Sequence, residues 1–521
     1  MSTPYRKKDR QRQTPSPNPQ TPARLCTRLS APQLLARFRS LLPAALLASW
    51  LASAPQCFYQ RAFTPLITLW YCIFQRLGTD HTLGQALADA RDGGADRLSP
   101  RGKRLSQRLR SLATTSLSDA RQRLPLEVFV QTLRRSAQQI STWADDCLWL
   151  GWKVVLLDGS TFRLRPLGDI AQHCPAHRPG NCKKPPYWCV VRVLAAFCLQ
   201  TGAVLDGTLG SLKTSEQALT AALLTGPWLK SLFVGDRNFG VYSVVRTIVE
   251  AQAQAVVRLT KSRAARLARS AGQRLVQGLD APLAWTPTAH DQCPEQFSRG
   301  PVSGRLLVLR VHRRGFPPLT LYLFTTLLDA RTYFPAALVQ LYGQRWRVEL
   351  CLRFVKTEMD LNFLDCQSAD MARKEWLAGL TAYNLIRSTM VAAAARAQIS
   401  VHTLSFSRSR QLFLTWLLRW VVEPQDVQRW KRLLEDIAQV RLPRRAKPRP
   451  PEPRAIRAFQ KYFPRLEGDR AAARKKLKTP MPIPSGIGQE CPRSYHRARR
   501  SWENVSCAPP LRKMQIRVVI G

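Results

Sequence analysis

Acidic residues are scarce in this chain. Asp and Glu number 34 against 80 Lys and Arg in 521 residues, which leaves a formal charge of +46 and a pI near 11.0. That imbalance disfavours a cationic partner and suits a polyanion, nucleic acid first. Long apolar runs are also missing. The best candidate span, residues 41–54, is interrupted by Pro43, Ser49 and Ser53 and falls well short of the roughly 20 residues a bilayer crossing needs; it reads as a core helix. The 13 cysteines are odd in number and scattered from Cys26 to Cys507, so they form no disulfide framework and read as reduced thiols. Residues 1–22 have basic side chains but no apolar stretch behind them, unlike a secretory signal. These absences together lead us to expect a cytoplasmic protein without a membrane anchor.

What is present is ordinary for a folded chain: 45% hydrophobic and 22% charged residues, enough for about three domains. Residues 1–24, rich in Pro, Ser, Thr, Gln and Arg, read as a flexible basic arm. Apolar spacings of three and four predict a helical region over 25–150, expected to bind DNA through basic stretches such as Arg101 to Arg110, which are otherwise a solvated helix face. Short apolar runs at 154–157, 187–199, 203–209, 231–234, 255–259 and 319–325 read as strands. They come first as a meander and then alternate with helices, which gives an α/β class for 151–397. Residues 261–318, with Gly, Pro and short alternating segments, read as a β-rich insertion. Further helix is expected over 398–440. Residues 441–521 carry 12 of the 37 prolines and 21 basic against 5 acidic residues, a basic tail.

Two acids stand at what reads as the C-terminal ends of strands. Asp158 follows Lys153-Val-Val-Leu-Leu157 and precedes Gly159-Ser-Thr; Asp236 follows Ser231-Leu-Phe-Val-Gly235 and precedes Arg237-Asn-Phe-Gly240. Ligand and catalytic groups of open α/β sheets gather at strand C-termini, so the two meet if their strands are neighbours. Taken singly, each is equally a turn or cap residue. A third acid lies in Tyr342-Gly-Gln-Arg345-Trp-Arg-Val-Glu349-Leu-Cys-Leu-Arg-Phe-Val-Lys356. At about 100° per residue on a continuous helix, Tyr342, Arg345, Glu349 and Lys356 share one stripe, beside an apolar stripe of Leu341, Val348, Leu352, Val355 and Met359. An amphipathic helix with a boundary Arg-Glu pair accounts for the apolar stripe but not for Tyr and Lys joining it.

These residues resemble the DDE transposases of bacterial insertion sequences, specifically insertion-sequence family four with its Y-x2-R-x3-E-x6-K signature. The signature is complete here, and the Asp158-Gly-Ser-Thr and Gly235-Asp-Arg-Asn-Phe-Gly segments look like that family's first and second acidic motifs. Lys213-Thr-Ser-Glu-Gln-Ala, Thr325-Thr-Leu-Leu-Asp and Ala382-Tyr-Asn-Leu-Ile-Arg match as well. The resemblance covers roughly residues 60–395. It implies a ribonuclease-H-like catalytic core in which the strands bearing the first two acids are adjacent, the third acid comes from a later helix and a β-rich insertion lies between the second and third. It also implies double-stranded DNA as partner, both the element's terminal inverted repeats and the target, and a homodimer in the synaptic complex, in a nucleoid-associated bacterial protein.

Phosphodiester chemistry of this kind asks for an activated hydroxyl and for charge stabilisation at phosphorus and at the leaving oxygen, which two Mg²⁺ ions can supply. Mg²⁺ prefers hard oxygen ligands, so Asp158, Asp236 and Glu349 are the expected ligands and catalytic residues, with Mn²⁺ an acceptable substitute. The resemblance makes Tyr342, Arg345 and Lys356 DNA contacts, in keeping with the phosphate-binding fork of Arg and the point charge of Lys. Arg237 is either a further phosphate contact or a partner for the local carboxylates. Trp285 is either a stacking platform for a displaced base or a packed residue of the insertion. His173, Cys174, His177, Cys182 and Cys189 suggest a metal cluster, but their spacing fits no standard zinc module. The expected activity is metal-dependent cleavage at element ends followed by transfer of the 3′-hydroxyl strand to target DNA. The alternatives are an inactive DNA-binding derivative and a nuclease that cuts without joining.

Overall fold

The computed structural model describes residues 38–442 and 517–519, apart from 40, 53–61, 79, 100–102, 143–147, 175–187, 226–227, 289–299, 313–317 and 420–426. The expected basic arm over 1–24 and nearly all of the 441–521 tail lie outside these residues, as do His177 and Cys182.

Helices fill the described part of the N-terminal region. The best formed are α1 (Pro65–Leu77), started by a Thr64 side chain that accepts from the Ile67 N–H, and α2 (Leu126–Thr142). From residue 153 the chain turns extended. Strand β1 (Lys153–Leu164) forms an antiparallel meander with β2 (Cys189–Cys198) and β3 (Val204–Ser211). Helix α3 (Glu216–Leu223) then leads to β4 (Ser231–Gly235), and α4 (Tyr242–Glu250) leads to β5 (Gln254–Arg258). Both strands lie parallel to β1 on its other side, giving the order β3-β2-β1-β4-β5. The centre of the sheet is buried on both faces, with Val154 to Leu157 and Leu232 to Val234 at most 1% exposed, as continuous apolar runs require.

The segment over 261–318, expected as a β-rich insertion, holds one helix and two strands among its described residues. It opens with a helix, α5 (Lys261–Ser270), because Thr260 accepts from the Arg263 N–H and Ala264, Leu267 and Ala268 form a buried face. Its strands β6 (Asp280–Trp285) and β7 (Val302–His312) then join the main sheet, β7 pairing with β8 (Leu319–Thr325) and β8 with β5. Short strands β9 (Phe363–Leu364) and β10 (Arg517–Val519) complete ten strands. Trp285 is 3% exposed and stacks edge-on against Phe324 at 4.9 Å, with Tyr242 beyond. It is a packing residue and not an exposed platform, because the alternation along β6 turns it toward the core.

The signature segment is also not one helix. Helix α6 (Pro335–Gly343) ends in a turn over 344–346, α7 (Arg347–Arg353) follows, and a π-helical turn (Phe354–Glu358) closes the segment. The apolar stripe is nevertheless buried at all five positions. Next comes α8 (Ala369–Arg396), nearly all of it buried, and then α9 (Phe406–Arg419) and α10 (Val427–Gln439). The Ala382-Tyr-Asn-Leu-Ile-Arg segment lies on α8 and clamps the meander. Asn384 bonds both the N–H and the C=O of Val204, at 2.9 and 2.8 Å, while the Tyr383 hydroxyl donates to Gly202 and accepts from Arg387. Among the described residues no helix is long and apolar enough to cross a membrane.

Candidate active site

The pairing of β1 with β4 sets the site. Their register runs from Lys153 opposite Ser231 to Leu156 opposite Val234. Continued by two residues, it puts Asp236 beside Asp158. Asp158 does not end its strand as the sequence suggested. β1 runs on to Leu164 because β2 keeps pairing with it, Asp158 lying opposite Ala195 and Gly159 opposite Leu194. The carboxylate therefore projects where β4 stops and its neighbour continues, a step in the sheet edge. Asp158 is half-buried, and its carboxyl is pushed up to about 6. Burial contributes most, the charges of Asp236 and Glu216 add to it, and the Gly159 N–H and Arg345 work against it. Two carboxylates sharing a partly dry site behave this way until a cation joins them.

The loop after β4 has its own construction. The Asn238 N–H donates to Asp236 Oδ1 at 2.8 Å, and Phe239 folds into the core. Gly240 passes so close to the Arg258 carbonyl that a Cβ there would collide with backbone, and its own carbonyl accepts from Arg263 at 2.7 Å. Arg237 is exposed beside this loop.

The signature segment lies against the same edge. Lys356 Nζ donates to Ser160 Oγ at 3.2 Å and to the Thr161 carbonyl at 2.9 Å, tying the π turn to β1 just beyond Asp158. Its ammonium is held below the usual lysine range by burial, with Arg163 adding to the effect. Tyr342 is 8% exposed, and burial raises its hydroxyl, with Asp236 pushing the same way and Arg345 and Arg258 opposing. Arg345 donates to Glu349 Oε1 at 2.6 Å. Burial works against its charge, but Glu349, Tyr342 and Asp158 more than offset that and hold its pKa up. The structure thus brings Asp158, Asp236, Tyr342, Arg345 and Lys356 to one edge. Glu349 is exposed and engaged with Arg345. Among the described residues no three acidic, His or Cys side chains converge closely enough to hold a metal ion. That covers His173, Cys174 and Cys189 as well.

Three residues here were not singled out from the sequence. Glu216, the first residue of α3, accepts from Asn238 Nδ2 at 2.5 Å and lies against Gly159. Asn238 links it to Asp236. Arg258, at the end of β5, faces Tyr342, and its Nε has no hydrogen-bond partner among the described residues. The available signal was Ser215, a cap residue directly before an acid in the quoted Lys213-Thr-Ser-Glu segment.

Residues 150–385 match the family described as Transposase DDE domain. The transposase InsG for insertion sequence element IS4 of Escherichia coli strain K12 is 25% identical over 347 residues, covering 64% of this chain and 74% of that protein. A cryo-EM structure of the piggyBac transposase synaptic complex with hairpin DNA aligns over 82% of this chain and 88% of its own at 12% identity, with a TM-score of 0.34; so slight a likeness lends no weight. The stretch matched to that family spans both strand-end aspartates and the signature segment. The relative that shares this stretch is itself the transposase of an insertion sequence.

Proposed function

We propose that this chain is a DNA transposase that cuts the ends of its element and transfers the freed 3′-hydroxyl strand to target DNA, as a homodimer when two ends are paired. The observation that carries the reading is the parallel register of β1 and β4, which ends at Leu156 opposite Val234 and so brings the chain at Asp236 level with Asp158, with Lys356 fastened to β1 two and three residues beyond Asp158. An antiparallel β1-β2-β3 meander followed by parallel β4 and β5 supports a ribonuclease-H-like core. The charge of +46 supports a polyanionic partner.

The donor set suits a hard divalent cation, Mg²⁺ or Mn²⁺: Asp158 and Asp236 offer carboxylate oxygens, and the charge of Asp236 raises the cost of ionising Asp158. When bound, such ions supply an activated hydroxyl and stabilise the leaving oxygen. The chain's own residues do the rest. Arg345 presents a bidentate fork suited to phosphate. A phosphate taking that fork competes with Glu349 for it, and the freed carboxylate becomes the third acid beside Asp158 and Asp236. Lys356 holds a positive charge near Ser160, and Arg237 faces solvent at the Asp236 loop, both suited to the DNA backbone. Tyr342 is seated too deeply to stack on a base and instead presents its hydroxyl beside Arg258. The described N-terminal helices, with Lys103, Arg104 and Arg110 exposed, and the basic arm and tail add further backbone contacts.

The test supplies labelled element ends, target DNA and Mg²⁺. Joined products are expected from the wild type, and neither cleaved nor joined products from Asp158→Ala, Asp236→Ala or Glu349→Ala with end binding kept. Cleaved ends without joining would replace the reading with a nuclease, and a gel shift without chemistry with a binding protein. Normal cleavage by a folded alanine variant would remove that residue from the ligand set.

A further inference from the structure

Glu216 is an acidic side chain at the edge that holds Asp158 and Asp236, and nothing in the triad reading uses it. It sits at the first position of α3, whose cap Ser215 accepts from the Ala218 N–H at 3.1 Å, so its backbone is fixed. One of its carboxylate oxygens faces β1 and the other faces the loop after β4. One lies against Gly159, where a Cβ would collide with the carboxylate. The other accepts from Asn238 Nδ2 at 2.5 Å. Asn238 is held from a further side by Gln217 Nε2, which donates to its carbonyl at 2.9 Å and to its Oδ1 at 2.7 Å. The Asn238 backbone N–H in turn donates to Asp236 Oδ1 at 2.8 Å.

We infer that Glu216 is a positioning residue of this site: through Asn238 it holds the Asp236 carboxylate level with Asp158, and Gly159 is glycine because the Glu216 side chain needs that space. The inference rests on the reading that Asp158 and Asp236 hold a divalent ion. A bare loop after β4 would let Asp236 turn to solvent and away from its like-charged neighbour, which is where electrostatics alone would send it. The Glu216-Asn238 link opposes that drift. It costs a third negative charge at the edge, which is consistent with the upward push Glu216 adds to Asp158. Carboxylates that support ligands from behind in this way typically change metal affinity about 10–100-fold when removed.

The test is Mn²⁺ binding to the full chain without DNA, followed by electron paramagnetic resonance, alongside a thermal melt. Glu216→Ala is expected to weaken Mn²⁺ binding by about 10–100-fold. Glu216→Gln keeps an acceptor oxygen for Asn238 and is expected to recover most of that loss. Asn238→Ala should match Glu216→Ala, and the double variant should lose no more than either, because the two act as one link. If Glu216→Ala melts early, the exposed Asn238→Ala variant carries the test alone. Unchanged Mn²⁺ binding in a folded Glu216→Ala or Asn238→Ala chain overturns the inference. A Glu216→Gln variant as weak as Glu216→Ala overturns it too, since charge or direct ligation would then be what Glu216 supplies. A wild-type chain that binds no Mn²⁺, or binds it equally well as Asp158→Ala, overturns the metal reading itself and this inference with it.

Discussion

Two regions of this molecule bury charge, and they treat it in opposite ways. Behind the sheet, on α8, Glu375 lies between Arg76 of α1 and Arg121, at 2.8 and 2.9 Å, the Arg121 contact an aligned hydrogen bond and the Arg76 contact an ion pair. Asp206 is met by Arg134 at 2.8 Å, and Arg305 by Asp280 at 2.5 Å. At the strand-end edge, the charges of Asp236 and Glu216 bear on Asp158, while Arg345, whose charge opposes theirs, gives its hydrogen bond to Glu349. Paired charge in the frame orients helices and strands. Charge at the edge leaves carboxylates facing one another, which a cation and a phosphate would complete.

Breaking the frame should cost stability and not chemistry. Glu375→Ala strands two buried guanidinium groups and is expected to destabilise the chain by about 3–5 kcal/mol, read as a lowered midpoint in urea. Glu375→Gln, which keeps one acceptor oxygen for one of the two arginines, should cost less. A loss within 1 kcal/mol for the alanine variant would show that the frame's ion pairs do not hold α1 to α8, and the contrast between the regions would fail.

Arg345 belongs to the edge, and removing it should show in binding. Arg345→Ala is expected to weaken element-end binding by about 1.5–3 kcal/mol, the value of a hydrogen bond to a charged group, and to reduce the salt slope by about 1. Stability should hardly change, because its partner Glu349 is exposed. A salt slope equal to the wild type's would take Arg345 off the list of phosphate contacts and leave it as a structural partner of Glu349.

The same contrast explains what was legible in the sequence. The central strands could be read because continuous apolar runs mark them; that the strands bearing Asp158 and Asp236 are neighbours was implied by the family resemblance and not by the runs. The length of β1 could not be read, since Gly159-Ser-Thr looks like a turn and stays extended only through pairing with β2, a contact distant in sequence. The turn at 344–346 was hidden because Gln344, Arg345 and Trp346 are acceptable helix formers; only Gly343 hinted at it. Helical periodicity therefore placed the apolar stripe correctly but gave Arg345 and Glu349 a shared direction that depends on an unbroken helix. Helix α5 was masked by the Gly and Pro residues around it. Trp285 was ambiguous because an aromatic in an alternating segment reads alike whether it faces core or solvent. Glu216 acquires meaning only from Gly159 and Asn238, each more than 20 residues away.

The smallest expected effect separates the two regions by pH. The Asp158 carboxyl is raised to about 6 from an ordinary 3.8, so the folded chain holds this proton more tightly than the unfolded one. Stability is therefore lost as pH rises from about 4 through 6, where the folded state must carry the charge. Asp158→Asn cannot ionise and escapes that loss. In metal-free buffer it is expected to be more stable than the wild type at neutral pH by about 1–3 kcal/mol and no more stable near pH 4. Millimolar Mg²⁺ should narrow or invert the difference at neutral pH, because only the wild type keeps both aspartates for the ion. Melting curves at the two pH values, with chelator and with Mg²⁺, read all four conditions. Wild-type and variant midpoints that move in parallel would mean that Asp158 sits in no unbalanced field, and the edge would then resemble the frame.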